Sequence, residues 1–117
     1  MTSNWLKNSI LQDYFVNKNT WVALYQTDPT EDNIGLEVTG GGYVRQAANW
    51  TLPLSQAITN DNEIRFPLAT DNWGLVTHYG LLDDNNNLLA FNELAVHRDV
   101  VAGDEVVFRA NALVIDN

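Results

Sequence analysis

The residues able to do chemistry in this sequence are few and scattered. Two histidines, His78 and His97, and three serines, Ser3, Ser9 and Ser55, are all it offers for a serine-type relay, and cysteine is absent. A nucleophile works only beside a base that is itself held in place, and none of the serines has the glycine-flanked setting that exposes a nucleophilic hydroxyl on a sharp turn. His78 falls inside Val76-Thr77-His78-Tyr79-Gly80, where an imidazole could ligate a metal or shuttle a proton. A second ligand at strand spacing would stand two residues away, and Val76 and Gly80 cannot serve, so a hydrogen-bonded structural histidine is the favoured reading. His97, beside Arg98 and Asp99, reads as a solvated surface residue.

Acidic loops are the next candidates. Asp28, Glu31 and Asp32, or Asp83 and Asp84 with Asn85 and Asn87, supply the hard oxygens that calcium prefers, but neither group has the spacing of an EF-hand loop. Asp and Asn are turn formers for backbone reasons alone, and plain turns are expected. Paired carboxylates for glycoside hydrolysis are a property of three-dimensional separation and leave no mark in the order of residues. The triple glycine Gly40-Gly41-Gly42 invites comparison with a phosphate loop, but Tyr43-Val44-Arg45 follows where Lys and Ser or Thr are required. Of the tryptophans Trp5, Trp21, Trp50 and Trp73, most are expected to anchor the core, with Trp50 and Trp73 staying exposed to stack on a sugar or a partner. No catalytic residue, metal or cofactor is assigned.

Charge narrows the partners. Fifteen acidic residues against six basic ones give a net charge of −9, which repels phosphate backbones and anionic membranes. Nucleic acid is therefore excluded as an expected partner. The start of the chain lacks the basic and apolar regions of a secretory signal, and no run approaches the ~20 apolar residues of a membrane span; a protein made in the cytoplasm and not inserted in a membrane is expected.

Elements able to position such residues come next. At 117 residues the chain can bury roughly two-thirds of its unfolded surface in one core, so 1–117 is expected to be a single domain. Over 3–16, Ser3 can cap a helix whose apolar residues Leu6, Ile10 and Tyr14, joined by Leu11 and Phe15, recur at helical spacing; too short to stand alone, it should dock that face on a sheet. From Thr20 the rhythm changes to strand periodicity. Trp21 to Tyr25 is apolar on both faces, as in a central strand. Tyr43 to Ala47 should pair after the glycines, and Glu63 to Leu68 should turn Ile64, Phe66 and Leu68 inward with Pro67 at an edge. Leu75 to Leu82 and Leu88 to Phe91 should form a hairpin about Asp83 to Asn87. Val106, Phe108 and Ala110 share a face that Leu113 and Ile115 do not, which predicts a bend near Asn111. The sum is a mostly β protein, an antiparallel β-sandwich of jelly-roll type over 20–117 with one short N-terminal α-helix.

Three stretches together resemble a known family: Val22 to Pro29 followed by Glu37-Val38-Thr39-Gly40-Gly41-Gly42-Tyr43-Val44-Arg45-Gln46; Phe66-Pro67 with Asp71 to Gly80; and Ala102-Gly103-Asp104. These are similar to small virion proteins of tailed bacteriophages, described as tail fibre or minor tail proteins and sometimes placed on the capsid. The resemblance implies a non-enzymatic building block of the particle, a capsid decoration or tail-fibre-type protein. It would dock on other virion proteins as a homo-oligomer. It also gives Gly40, Gly41, Gly42, Tyr43, Arg45, Trp73, Gly74, His78 and Gly80 a structural role, with Arg45 paired to an acidic neighbour. The alternative is a module that binds host-surface glycans through Trp50 and Trp73.

Overall fold

The computed structural model describes residues 3–51 and 57–116; Ser55 lies outside them. Ser3 is extended, and its hydroxyl accepts the Leu6 N–H at 3.2 Å, the capping bond expected of a serine at a helix start. Helix α1 covers Asn4–Leu11 and then widens into a π-helical turn over Gln12–Val16, where Asn17 N–H donates to the Gln12 carbonyl at 2.8 Å. The predicted docking face divides here. Leu11 and Phe15 are buried, whereas Leu6, Ile10 and Tyr14 are exposed, because five apolar positions make a stripe wider than one contact can cover.

Strand β1, Thr20–Tyr25, is central as its composition predicts. It lies between β2, Gln46–Ala48, and β5, Gly74–Leu82, and beyond β5 runs the edge strand β6, Leu88–Val100, all antiparallel. Val22 and Leu24 enter the main core, while Ala23 and Tyr25 form a second cluster with Leu82 on the opposite face. Each fully buried aliphatic of this kind contributes roughly 1.5–3 kcal/mol, so both faces of β1 hold the sheet in place. Docking of the helical segment uses Phe15, whose ring meets Trp50 edge-on at 5.6 Å. The Trp50 indole N–H donates to Thr20 Oγ1 at 2.7 Å, and the Thr20 hydroxyl lies within reach of the Ala48 carbonyl.

The β5–β6 hairpin turns on Asp83, as its turn residues predict. Its carboxylate accepts the N–H groups of Asn85 and Asn87, each at 2.9 Å, and the Asn87 side chain at 3.0 Å, while Asn86 takes the left-handed conformation at φ 64. Those bonds, led by the Asn87 side chain, hold the Asp83 carboxyl below the usual range. Strand β6 continues nine residues past the expected Phe91 to Val100. An unforeseen irregularity accompanies it: Val76 pairs with Arg98 but His78 with Glu93, so β6 carries extra residues there, as in a bulge.

Four other short strands complete the described fold in two two-stranded ladders: β3, Ala57–Thr59, with β8, Val114–Asp116, and β4, Ile64–Arg65, with β7, Val107–Phe108. The strand expected over 63–68 ends early. Ile64 and Phe66 are buried, but Leu68 is exposed and Ala69 is buried in its place, because Pro67 cannot donate to a ladder and the inward parity shifts past it. The bend at Asn111 is present, with φ 67; it leaves Ala110 exposed, contrary to expectation, and returns Leu113 to the core. Fully buried Asn60 pins this bend by donating to the carbonyls of Asn62 and Arg109 and accepting Leu113 N–H. The chain is mostly β, with an antiparallel sheet and one short helix.

Candidate functional site

The motif residues converge at the edge of β1 where β2 stops. Strand β2 pairs with β1 only as far as Val22, so Leu24 N–H would face no strand. The Tyr43 hydroxyl takes that place: it accepts Leu24 N–H at 3.0 Å and donates to Glu37 Oε2 at 2.6 Å. Glu37 is the acidic neighbour of Arg45. Its two carboxylate oxygens receive Nε and Nη2 of Arg45 at 2.8 and 2.7 Å, the bidentate fork that gives such pairs their strength, and Arg45 Nη1 extends the chain to Asn86 Oδ1 at 2.6 Å. The hairpin tip is thereby tied to the β1 edge.

Electrostatics follow from this geometry. Burial opposes the charge on Glu37, but the Arg45 guanidinium and the Tyr43 hydroxyl outweigh it and hold the carboxyl below its usual range. The Tyr43 phenol is pushed well above its usual range, first by burial and then by the Glu37 carboxylate it donates to. Neither group is poised to exchange a proton near neutral pH, where a general acid or base works best.

The glycine run and the tryptophan motif meet a few ångströms away. Gly41 is left-handed at φ 59, and its carbonyl accepts both the Trp73 indole N–H at 2.8 Å and Thr70 N–H at 2.9 Å. A Cβ on Gly41 would come within 2.8 Å of the indole, so no side chain fits. The Tyr43 ring is stacked on Phe66 at 6.0 Å and meets Trp73 edge-on at 5.5 Å. Gly74, at φ 87, leaves room for Gln26, whose side-chain amide donates to the Trp73 carbonyl. Gly40 and Gly42 are left-handed as well.

The remaining candidates are distributed elsewhere. His78 lies on β5 opposite Tyr25, with its Nδ1 2.7 Å from Thr77 Oγ1. Val76 and Tyr79, three residues apart, both face the main core, so the strand changes parity between them. Gly80 leaves space for the Tyr25 ring, which a Cβ would approach to 2.7 Å. His97 is exposed and pairs with Glu93 at 2.7 Å. In a surface groove beside it, Asp104 accepts Val101 N–H and Glu105 is paired with Arg65.

Two expectations are corrected here. Trp50 and Trp73 are 5% and 3% exposed, because each indole N–H finds an internal acceptor and the rings can be buried whole. The exposed tryptophan is Trp5, at 77%. Sequence reasoning passed over Glu37 and Gln26 as site residues, although Glu37 stands in the same motif as Arg45; the missing signal was that a tyrosine and an arginine would share one acid.

The motif side chains of this mostly β chain are bonded to one another and to the backbone around the β1 edge. The chain belongs to the family described as Podophage GP4 fiber I protein gp80, whose model matches residues 1–116. It is thus a phage fibre-type protein and a structural component of the virion. No curated protein matches it. Among the described residues, no helix is long and apolar enough to cross a membrane.

Proposed function

We propose that the chain is a non-enzymatic docking module of the phage particle. It acts as one β-rich domain, binds other virion proteins through surface contacts, and works as a homo-oligomer whose modest interfaces are multiplied by avidity. The observation that carries this reading is the Glu37, Tyr43, Arg45 and Trp73 cluster of a phage-fibre family member: the polar side-chain groups of these four residues are bonded inside the molecule, which suits a rigid scaffold and leaves contact to the rest of the surface. Burial of Trp50 and Trp73 removes the platforms on which sugar binding was expected and favours protein docking over glycan recognition.

The test is direct. Gradient-banded particles should contain the chain in many copies, located by mass spectrometry and by labelling on either the tail or the capsid. Particles that are intact and infectious without it would overturn the proposal, as would a turnover abolished by changing one acid.

A further inference from the structure

We infer that the groove between β6 and β7 is a strand-docking site, which takes an extended segment of another virion protein bearing alternating apolar side chains and lysine or arginine. This deepens the docking part of the proposed function by naming its surface, and rests on that reading for the source of the segment.

The first observation is an open seam. Strand β6 ends the four-stranded sheet and β7 pairs with β4, so among the described residues the two consecutive strands diverge from the turn at Asp104 without pairing with each other. Between Glu93 and Arg98, moreover, Leu94 to His97 have no partner in the ladder with β5. An edge of this kind offers backbone N–H and C=O groups to a strand laid beside it.

The second observation is what lies between the two strands. Three adjoining hollows share Val96 and Val106 at one junction and Leu94 and Phe108 at the other, so they form one groove along β6. Val76 completes its apolar middle, and Val96 stands 71% exposed on its lip. Side chains alternate along a strand, so a segment lying here turns every second side chain onto that apolar surface while its backbone meets β6.

The third observation, charge, selects the occupant. The groove is lined by four acids, Glu93, Asp99, Asp104 and Glu105, against one arginine, Arg98, and His97. Glu105 is paired with Arg65 and Glu93 with His97, which leaves Asp99 and Asp104 without an ion pair among the described residues. A second copy would bring the same acids against these, because a two-fold contact uses one patch twice; a strand carrying lysine or arginine is drawn in instead. Charges on a sheet edge guard it against the wrong strand, and here they turn away this chain's own copies while leaving the edge open to a basic one.

The test uses the full-length chain and a short synthetic peptide of alternating valine and lysine as the probe. Calorimetric titration should show saturable binding, and hydrogen exchange should slow at the β6 amides from Leu94 to His97. N-methylation throughout the peptide removes its backbone donors and keeps its charge, and should weaken binding roughly tenfold or more. Val96→Arg should do the same, and Asp99→Arg should weaken binding severalfold, whereas Glu31→Gln, in an acidic loop outside the groove, should leave it unchanged. Circular dichroism checks that each variant keeps the fold. No saturable binding up to ~1 mM, equal binding by the methylated peptide, or a loss with Glu31→Gln as large as with Asp99→Arg would each overturn the inference. In gradient-banded particles, a photoreactive side chain at position 96 should join the chain to an extended segment of a different virion protein. Particles that hold the chain in many copies but give crosslinks only to a second copy, or none, would retain the structural role and remove this surface.

Discussion

The edge cluster around Glu37 and the helical segment over 3–16 are built on opposite terms. In the first, glycines, aromatic rings and an ion pair interlock, and each polar group is answered inside the molecule. In the second, one row of apolar side chains is inside and a parallel row is left in water. The difference teaches that a distinctive motif and an available surface need not coincide. Here the residues whose pattern stands out hold the scaffold, and the residues free to touch another molecule belong to a plain amphipathic pattern. Substitutions in the first region should therefore destabilise the fold, and substitutions in the second should leave its stability nearly unchanged.

Trp73→Ala gives the largest expected effect. The side chain is buried, its ring packs on Tyr43, and its N–H bonds the Gly41 carbonyl; removing a buried tryptophan costs ~3–5 kcal/mol. Urea denaturation should show a lower midpoint at unchanged slope. A loss below ~1 kcal/mol would mean that the cluster does not hold the fold together.

Next come two neighbouring glycines that differ in surroundings. Gly40→Ala meets nothing within 4 Å, whereas Gly41→Ala drives a methyl into the Trp73 indole, and both sit at positive φ. Conformation alone costs ~1–2 kcal/mol, so Gly40→Ala should lose about that and Gly41→Ala clearly more, by thermal unfolding. Equal losses would show that the close contact with Trp73 has no energetic weight.

Glu37→Gln should cost ~2 kcal/mol at neutral pH, since it weakens charge-assisted bonds to Arg45 while keeping the shape. The pH dependence has a definite sign. The folded carboxyl is held below its ordinary value, so its contribution is complete above the unfolded glutamate pKa of ~4.3 and is lost as pH falls through the lower folded value. The gap between wild type and Glu37→Gln should close on acidification in that window, measured by urea titrations at stepped pH. A gap that stays constant would assign the loss to packing and not to charge.

Much of the fold was legible because its determinants are local. Asp83 to Asn87 announces a turn through side chains that bond their own backbone, β1 announces its central place by being apolar on both faces, and Asn111 is betrayed by the parity break between Phe108 and Leu113. What was not legible depends on distant partners. Leu68 alternates correctly on paper, and only the interruption at Pro67 turns it out. Trp50 and Trp73 could be ranked as exposed because nothing near them in sequence shows that Thr20 and the Gly41 carbonyl wait to accept their indole N–H groups. Arg45 was expected to have an acidic partner, but that Glu37 also takes the Tyr43 hydroxyl is a fact of the third dimension.

The smallest expected effect lies on the helical side of the comparison and tests it from below. Leu6→Ser removes an exposed member of the stripe and leaves Leu11 and Phe15 in place against the core. A surface change away from packing and caps stays within about 0.5 kcal/mol, so dilute monomer should unfold with almost unaltered midpoint, even though Ser3, which caps the helix through Leu6 N–H, is only three residues away: the capping bond uses the backbone and survives the substitution. A loss of ~2 kcal/mol or more would mean that Leu6 is packed within the monomer after all, and that the second row of apolar residues is core and not surface.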